Sequence, residues 1–143
     1  MPEGKGVEAE LRQANERFYR AFESLDLGRM EEVWLTDAAV TCIHPGWTLR
    51  AGWPEVRESW ALIFGNTEMI RFAVTDVETF VRGTCGWAIC LENILSATGG
   101  VALESRVLAT NIFERREGRW ALVHHHGSPV VTAAPPVRRP RVH

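Results

Sequence analysis

Apolar positions along the first sixty residues recur at helical spacing, and along the last sixty they alternate. From Glu8 to Leu25, residues Leu11, Ala14, Phe18, Ala21, Phe22 and Leu25 form one stripe. The opposite face carries Arg12, Glu16, Arg17, Arg20 and Glu23, which predicts an amphipathic helix with one buried side. Asp26 stands where the cap of a short second helix belongs, with Met30, Val33 and Trp34 turned inward. A strand is expected over Ala38 to Ile43, closed by the turn signal His44-Pro45-Gly46. Pro54, following Gly52 and Trp53, opens a third helix whose stripe is Val56, Trp60, Ile63 and Phe64 and whose end is Gly65-Asn66.

Four long runs follow: Met69 to Val81, Thr84 to Ser96, Val101 to Arg115 and Arg119 to Ser128. Short glycine-bearing segments separate them, at Arg82-Gly83, Thr98-Gly99-Gly100 and Glu117-Gly118. That is a meander of antiparallel hairpins. Helices first and a long sheet afterwards make an α+β domain. The natural division is one domain over residues 1–130 and a mobile Pro/Arg-rich tail over 131–143, which has no apolar period.

Composition narrows the class. The 143 residues suit one domain, and 45% hydrophobic with 24% charged residues is ordinary for a globular protein. A net charge of −2 gives no electrostatic pull toward nucleic acid or an anionic membrane. No apolar run approaches the roughly 20 residues of a membrane helix, and the polar N-terminus is unlike a signal peptide. Cys42, Cys85 and Cys90, an odd number placed in expected strands, read as reduced, buried residues of a cytoplasmic protein. Six tryptophans against one tyrosine are more flat side chains than a small core needs, which points to an aromatic-lined cavity.

Two stretches resemble the SnoaL-like branch of the nuclear-transport-factor-2-like superfamily. One is Val40-Thr41-Cys42-Ile43-His44-Pro45-Gly46-Trp47 with Leu49, Gly52, Val56 and Ser59-Trp60. The other runs from Thr110-Asn111-Ile112-Phe113 through Glu117-Gly118-Arg119-Trp120 to Val123-His124-His125-His126-Gly127-Ser128-Pro129. The resemblance implies a cone: a strongly curved, mostly antiparallel sheet with three N-terminal helices packed on its concave face, the cystatin-like α+β barrel. The superfamily includes ketosteroid isomerase, polyketide cyclases and scytalone dehydratase, and also the association domain of calcium/calmodulin-dependent kinase II, so fold alone does not decide function.

Candidate chemistry gathers on three elements. His44 ends the first strand, near the position of the isomerase's catalytic aspartate, and an imidazole there suits proton transfer at neutral pH. With Glu117-Gly118 as a two-residue turn, counting sets Asn111 opposite His124 and Ala109 opposite His126. Asn111, His124 and His126 then share the pocket face, and His125 the other with Ile112 and Val123; a single bulge would exchange His124 and His125. Asn111 falls near the isomerase's oxyanion-hole acid, where an amide donor is tolerable. The expected catalytic set is His44 to move a proton, with Asn111 and His124 to stabilise the enolate-like charge; the expected ligand contacts are Trp34, Trp47, Trp60, Phe64, Phe18 and His126.

Phe18 takes the place of the isomerase's tyrosine donor, and Tyr19 lies about 100° round the helix, which argues against steroid isomerisation. Glu92, Glu104 and Arg106 read as charges on a solvated or dimer-facing sheet surface, with Arg106 alternatively a carboxylate anchor. Three adjacent histidines do not make a metal site, because no carboxylate or cysteine converges with them. No nucleophile triad, phosphate loop or dinucleotide fingerprint is present. The expectation is a lyase- or isomerase-type enzyme for a small apolar or aromatic ligand, without cofactor, dimeric through its sheet. The alternative is a non-catalytic sensing or dimerisation module.

Overall fold

The computed structural model describes residues 3–131; the expected tail beyond Val131 lies outside them. Helix α1 spans Glu3–Ser24, longer at its start than the apolar stripe predicts, because Val7 continues the buried face. Asp26 caps α2 (Leu27–Val33) as expected, its Oδ1 accepting from the backbone N–H groups of Gly28 at 2.8 Å and Arg29 at 3.2 Å. Strand β1 is only Thr41–Ile43, and β2 is the two-residue Arg50–Ala51, too short to leave a periodic signal. Helix α3 runs Trp53–Gly65 with Pro54 in its first turn.

Strands β3 (Met69–Arg82), β4 (Cys85–Thr98), β5 (Val101–Arg116) and β6 (Arg119–Pro129) form the predicted meander. Glu117 and Gly118 both take positive φ, 54° and 76°, the left-handed pair that a two-residue hairpin turn requires and that glycine accepts without cost. The six strands make one sheet in the order β2-β1-β6-β5-β4-β3. Every pairing is antiparallel except β1 with β6. The sheet curves but does not close into a barrel, since β2 and β3 remain its edges.

Helix α1 lies against β3, β4 and β6, and α3 against β1 and β2. The core between helices and sheet is aromatic. Trp60, fully buried, has Phe22 at 4.8 Å, Phe18 and Phe64 at 5.8 Å and Trp34 at 6.4 Å between ring centroids. Cys42 and Cys90 are buried as expected; Cys85, at the turn end of β4, is exposed. Gly127 lets β6 pass the turn after β1: a Cβ there would sit 3.0 Å from both Pro45 Cγ and Val107 Cγ1. Gly127→Ala is expected to cost about 1–3 kcal/mol by overpacking, read as a lower denaturation midpoint.

Candidate functional site

Strand parity decides which polar side chains enter the core. In β5, Val107, Ala109, Asn111 and Phe113 alternate inward. In β4, Gly86, Ala88, Cys90 and Glu92 do the same. The register of β6 changes at one point: Phe113 pairs with Leu122, but Ile112 pairs with His124, leaving Val123 as an extra residue. This bulge corrects the register counted from the turn. Asn111 stands opposite His125, and it is His125 that is buried, at 1% exposure. His124 is turned to the outer face, where its Nδ1 meets Thr41 Oγ1 at 2.7 Å, and His126 is exposed on that same face. Neither His124 nor His126 belongs to the buried site.

Among the described residues, six polar side chains enter the interior: Asn15, His44, Ser59, Glu92, Asn111 and His125. Burying such groups is costly unless they are hydrogen-bonded, and these are. His125 Nδ1 donates to Asn111 Oδ1 at 2.6 Å, and Asn111 Nδ2 donates to Asn15 Oδ1 at 2.9 Å and to Tyr19 Oη at 3.1 Å. Tyr19 in turn donates to Glu92 Oε2 at 2.6 Å and lies 3.3 Å from Cys90 Sγ. The chain fixes Asn111, whose amide is oriented from both ends.

His44 stands beside this network, its ring centroid 6.1 Å from that of His125. Ser59 donates to the Val56 carbonyl at 2.6 Å, so His44 Nε2 must donate to Ser59 Oγ, at 2.9 Å. Each imidazole therefore has one nitrogen tied as a donor and the other an acceptor: His44 Nδ1 lies 4.0 Å from the weak donor Cys42 Sγ, and His125 Nε2 has no hydrogen-bond partner among the described residues. Burial keeps both neutral. It lowers His44 to about 4, with the Arg50 cation adding to the effect, and pushes His125 well below the ordinary range, helped by the neighbouring histidines. Trp60 packs across both rings, 4.7 Å from His44 and 5.9 Å from His125, and its indole N–H is buried without a partner.

Of the remaining expected ligand contacts, Phe18 lies 5.0 Å from His125 and Trp47 5.0 Å from His44. Phe64 and Trp34 belong to the shell behind Trp60; Trp34 points its Nε1 at Met30 Sδ, 3.3 Å away. Glu104 and Arg106 are exposed, as expected, but Glu92 is not on a solvated surface. It is 2% exposed, and burial raises it to about 7 against the opposing pull of the Tyr19 hydrogen bond. Asn15, Tyr19 and Glu92 are the residues that sequence reasoning missed. The signal for Glu92 was the run of small inward residues Gly86, Ala88 and Cys90 that it continues. Among the described residues, no three His, Cys, Asp or Glu side chains converge to hold a metal, and no helix is long and apolar enough to cross a membrane.

The curved sheet with three helices on its inner face and polar groups in the core defines the nuclear-transport-factor-2-like class. Within it, the SnoaL-like domain family model matches residues 11–132, and the chain belongs to that family. It is 39% identical to a candidate dehydratase of the nuclear-transport-factor-2-like family from Streptomyces avermitilis, with a TM-score of 0.84 over 90% of this chain and 99% of that one. It is 32% identical to a candidate calcium/calmodulin-dependent protein kinase type II association domain from Thiobacillus denitrificans, with a TM-score of 0.74 over 82% and 93% of the two chains. It is also 34% identical over 114 residues to the F-box protein SKIP8 of Arabidopsis thaliana. That match takes in 80% of this chain and 47% of the plant protein, so the chain spans about half the length of that relative.

Proposed function

We propose that the buried cluster binds a small apolar or aromatic molecule and transfers a proton on it, in a lyase- or isomerase-type reaction with His44 as the proton-transfer group. The observation that carries this reading is the pair of neutral imidazoles 6.1 Å apart, each with one nitrogen fixed as a donor and the other an acceptor, faced in His44 only by the weak donor Cys42 Sγ at 4.0 Å, under a tryptophan whose N–H is unpaired. In a dehydration, the His44 lone pair takes a proton from a carbon next to a carbonyl. The resulting imidazolium returns that proton to the departing hydroxyl, so substrate leaves as alkene and water and His44 is restored. Its low proton affinity suits the second step. The amide of Asn111 orients the His125 ring, and the surrounding aromatic rings exclude water. The likeness to a candidate dehydratase supports the lyase form.

Native mass spectrometry of the purified protein, before and after organic extraction, is expected to show a bound small molecule. Incubated with that molecule in heavy water, the wild type exchanges or eliminates. His44→Ala is expected to be about 100-fold slower while keeping its fold. A His44→Ala variant with undiminished turnover would end the catalytic reading.

A second reading, a non-catalytic sensing or dimerisation module, is favoured by the outer sheet face. Trp87, Leu91, Leu95, Leu108 and Ile112 line it in register, and Phe80 stacks on Trp87 at 5.4 Å. Such a face is covered most simply by a second copy, and the likeness to a candidate association domain supports that arrangement. Sedimentation at micromolar concentration is expected to show a dimer, and Leu108→Arg a monomer. A wild-type monomer would count against pairing through the sheet.

A further inference from the structure

Arg50 takes no part in the proton-transfer cluster, yet the fold aims it there. In the β1–β2 pair, Arg50 is the direct cross-strand partner of Cys42, so the two side chains share a face. His44, just past the end of β1, is on that face as well, its Nε2 3.5 Å from Cys42 Sγ. The Arg50 guanidinium lies over the Trp47 ring, 5.2 Å from its centroid, and the Trp47 ring is 5.0 Å from that of His44. Stacking on Trp47 holds the planar fork in place while the side chain stays 25% exposed. Among the described residues its one ion partner is Glu58 on α3, through a single contact of 3.2 Å from Nη1, and Glu58 is itself 68% exposed. The other guanidinium N–H groups have no side-chain partner among the described residues.

A fixed arginine at the rim of an otherwise uncharged, aromatic site, already carrying one carboxylate oxygen, is a receptor for a carboxylate. We propose that the ligand of this site is a small aromatic or apolar carboxylic acid, bound as its anion, with Arg50 gripping the carboxylate and the body of the molecule lying against Trp47, His44 and Trp60. The proposal rests on the reading of the buried cluster as a ligand site, and adds the charge of the ligand and the residue that selects it. It also couples binding to chemistry. The Arg50 cation is one cause of His44's low proton affinity, second to burial. An anion seated on Arg50 cancels that cation and makes His44 the stronger base when substrate is present.

The test uses matched acid and amide probes: benzoate with benzamide, phenylacetate with phenylacetamide, and indole-3-acetate with indole-3-acetamide. Binding is followed in the full chain through the indole N–H resonances, with that of Trp60 identified by Trp60→Phe. At least one acid is expected to shift the Trp60 signal and to bind about tenfold more tightly than its amide. Arg50→Gln, checked for an unchanged melting temperature, is expected to lose that preference. Glu58→Gln, which frees the guanidinium, is expected to bind the acid more tightly than wild type. Acid and amide binding equally, with the Trp60 signal moving for both, would overturn the role of Arg50 and leave the ligand site standing. If no probe moves the Trp60 signal, both fall together.

Discussion

Asn111→Leu is expected to cost about 3–5 kcal/mol, read as a lower denaturant midpoint with an unchanged transition slope. Leucine is close to asparagine in size, so no large cavity forms and the loss is one of hydrogen bonds. Two buried groups are orphaned at once and a third is weakened: His125 Nδ1 loses its acceptor, Asn15 Oδ1 loses its donor, and Tyr19 Oη loses one of its three partners. Each stranded group costs roughly 1–3 kcal/mol, and the sum is tempered because Tyr19 keeps Glu92. For a small domain this is a large fraction of total stability. A loss under about 1 kcal/mol would mean that water reaches these groups, and that the network is not the closed core element the distances describe. His125→Phe, which leaves only Asn111 Oδ1 unpaired, should cost markedly less.

The meander was legible because its turns are chemical. Gly83, the Gly99-Gly100 pair and Gly118 all occupy positive φ, and no other signal was needed to separate four strands. The helices were legible from periodicity and from Asp26. The site was legible only in part. His44, Asn111, Trp60 and Phe18 do come together, but the histidine that joins them is His125. The extra residue at Val123 has no sequence mark: a β-branched residue within a run of strand formers looks like its neighbours, and a single unpaired position reverses all that follows.

Tyr19 was set aside because it lies about 100° round α1 from Phe18. That argument assumes a helix buried on one narrow side. Here the concave sheet embraces α1, so Phe18 reaches Trp60 and His125 on one flank while Tyr19 reaches Phe72, Cys90 and Glu92 on the other. Both are fully buried. The curvature of the sheet, a property of the whole fold, is what periodicity along one helix does not contain.

The buried carboxyl and the buried imidazoles pull stability in opposite directions with pH, and Glu92→Gln is expected to separate them. Glu92 is raised to about 7 in the folded protein from an ordinary 4.5, chiefly by burial. Between those two values the folded state holds a proton that the unfolded chain has released, so this group stabilises fully below about 4.5 and loses its contribution as pH rises through 7. The shift corresponds to about 3 kcal/mol. His44 runs the other way. Lowered to about 4, it is neutral when folded, so its contribution is complete above 6.5 and is lost as pH falls through 4. His125, lowered further in the same direction, adds to that acid limb. Together these place the wild-type maximum near pH 6.5, with a steep acid side and a short decline above it. Removing the carboxylate removes only the Glu92 part. Relative to wild type, Glu92→Gln should gain about 3 kcal/mol between pH 4 and pH 8, measured as the difference between the two unfolding free energies at each pH. Subtracting one curve from the other cancels every histidine, so the residual slope belongs to Glu92 alone. A difference that stays flat across that range would mean the carboxylate is ionised and solvated at neutral pH. The hydrogen bond from Tyr19 would then be holding an open, hydrated acid and not a closed one.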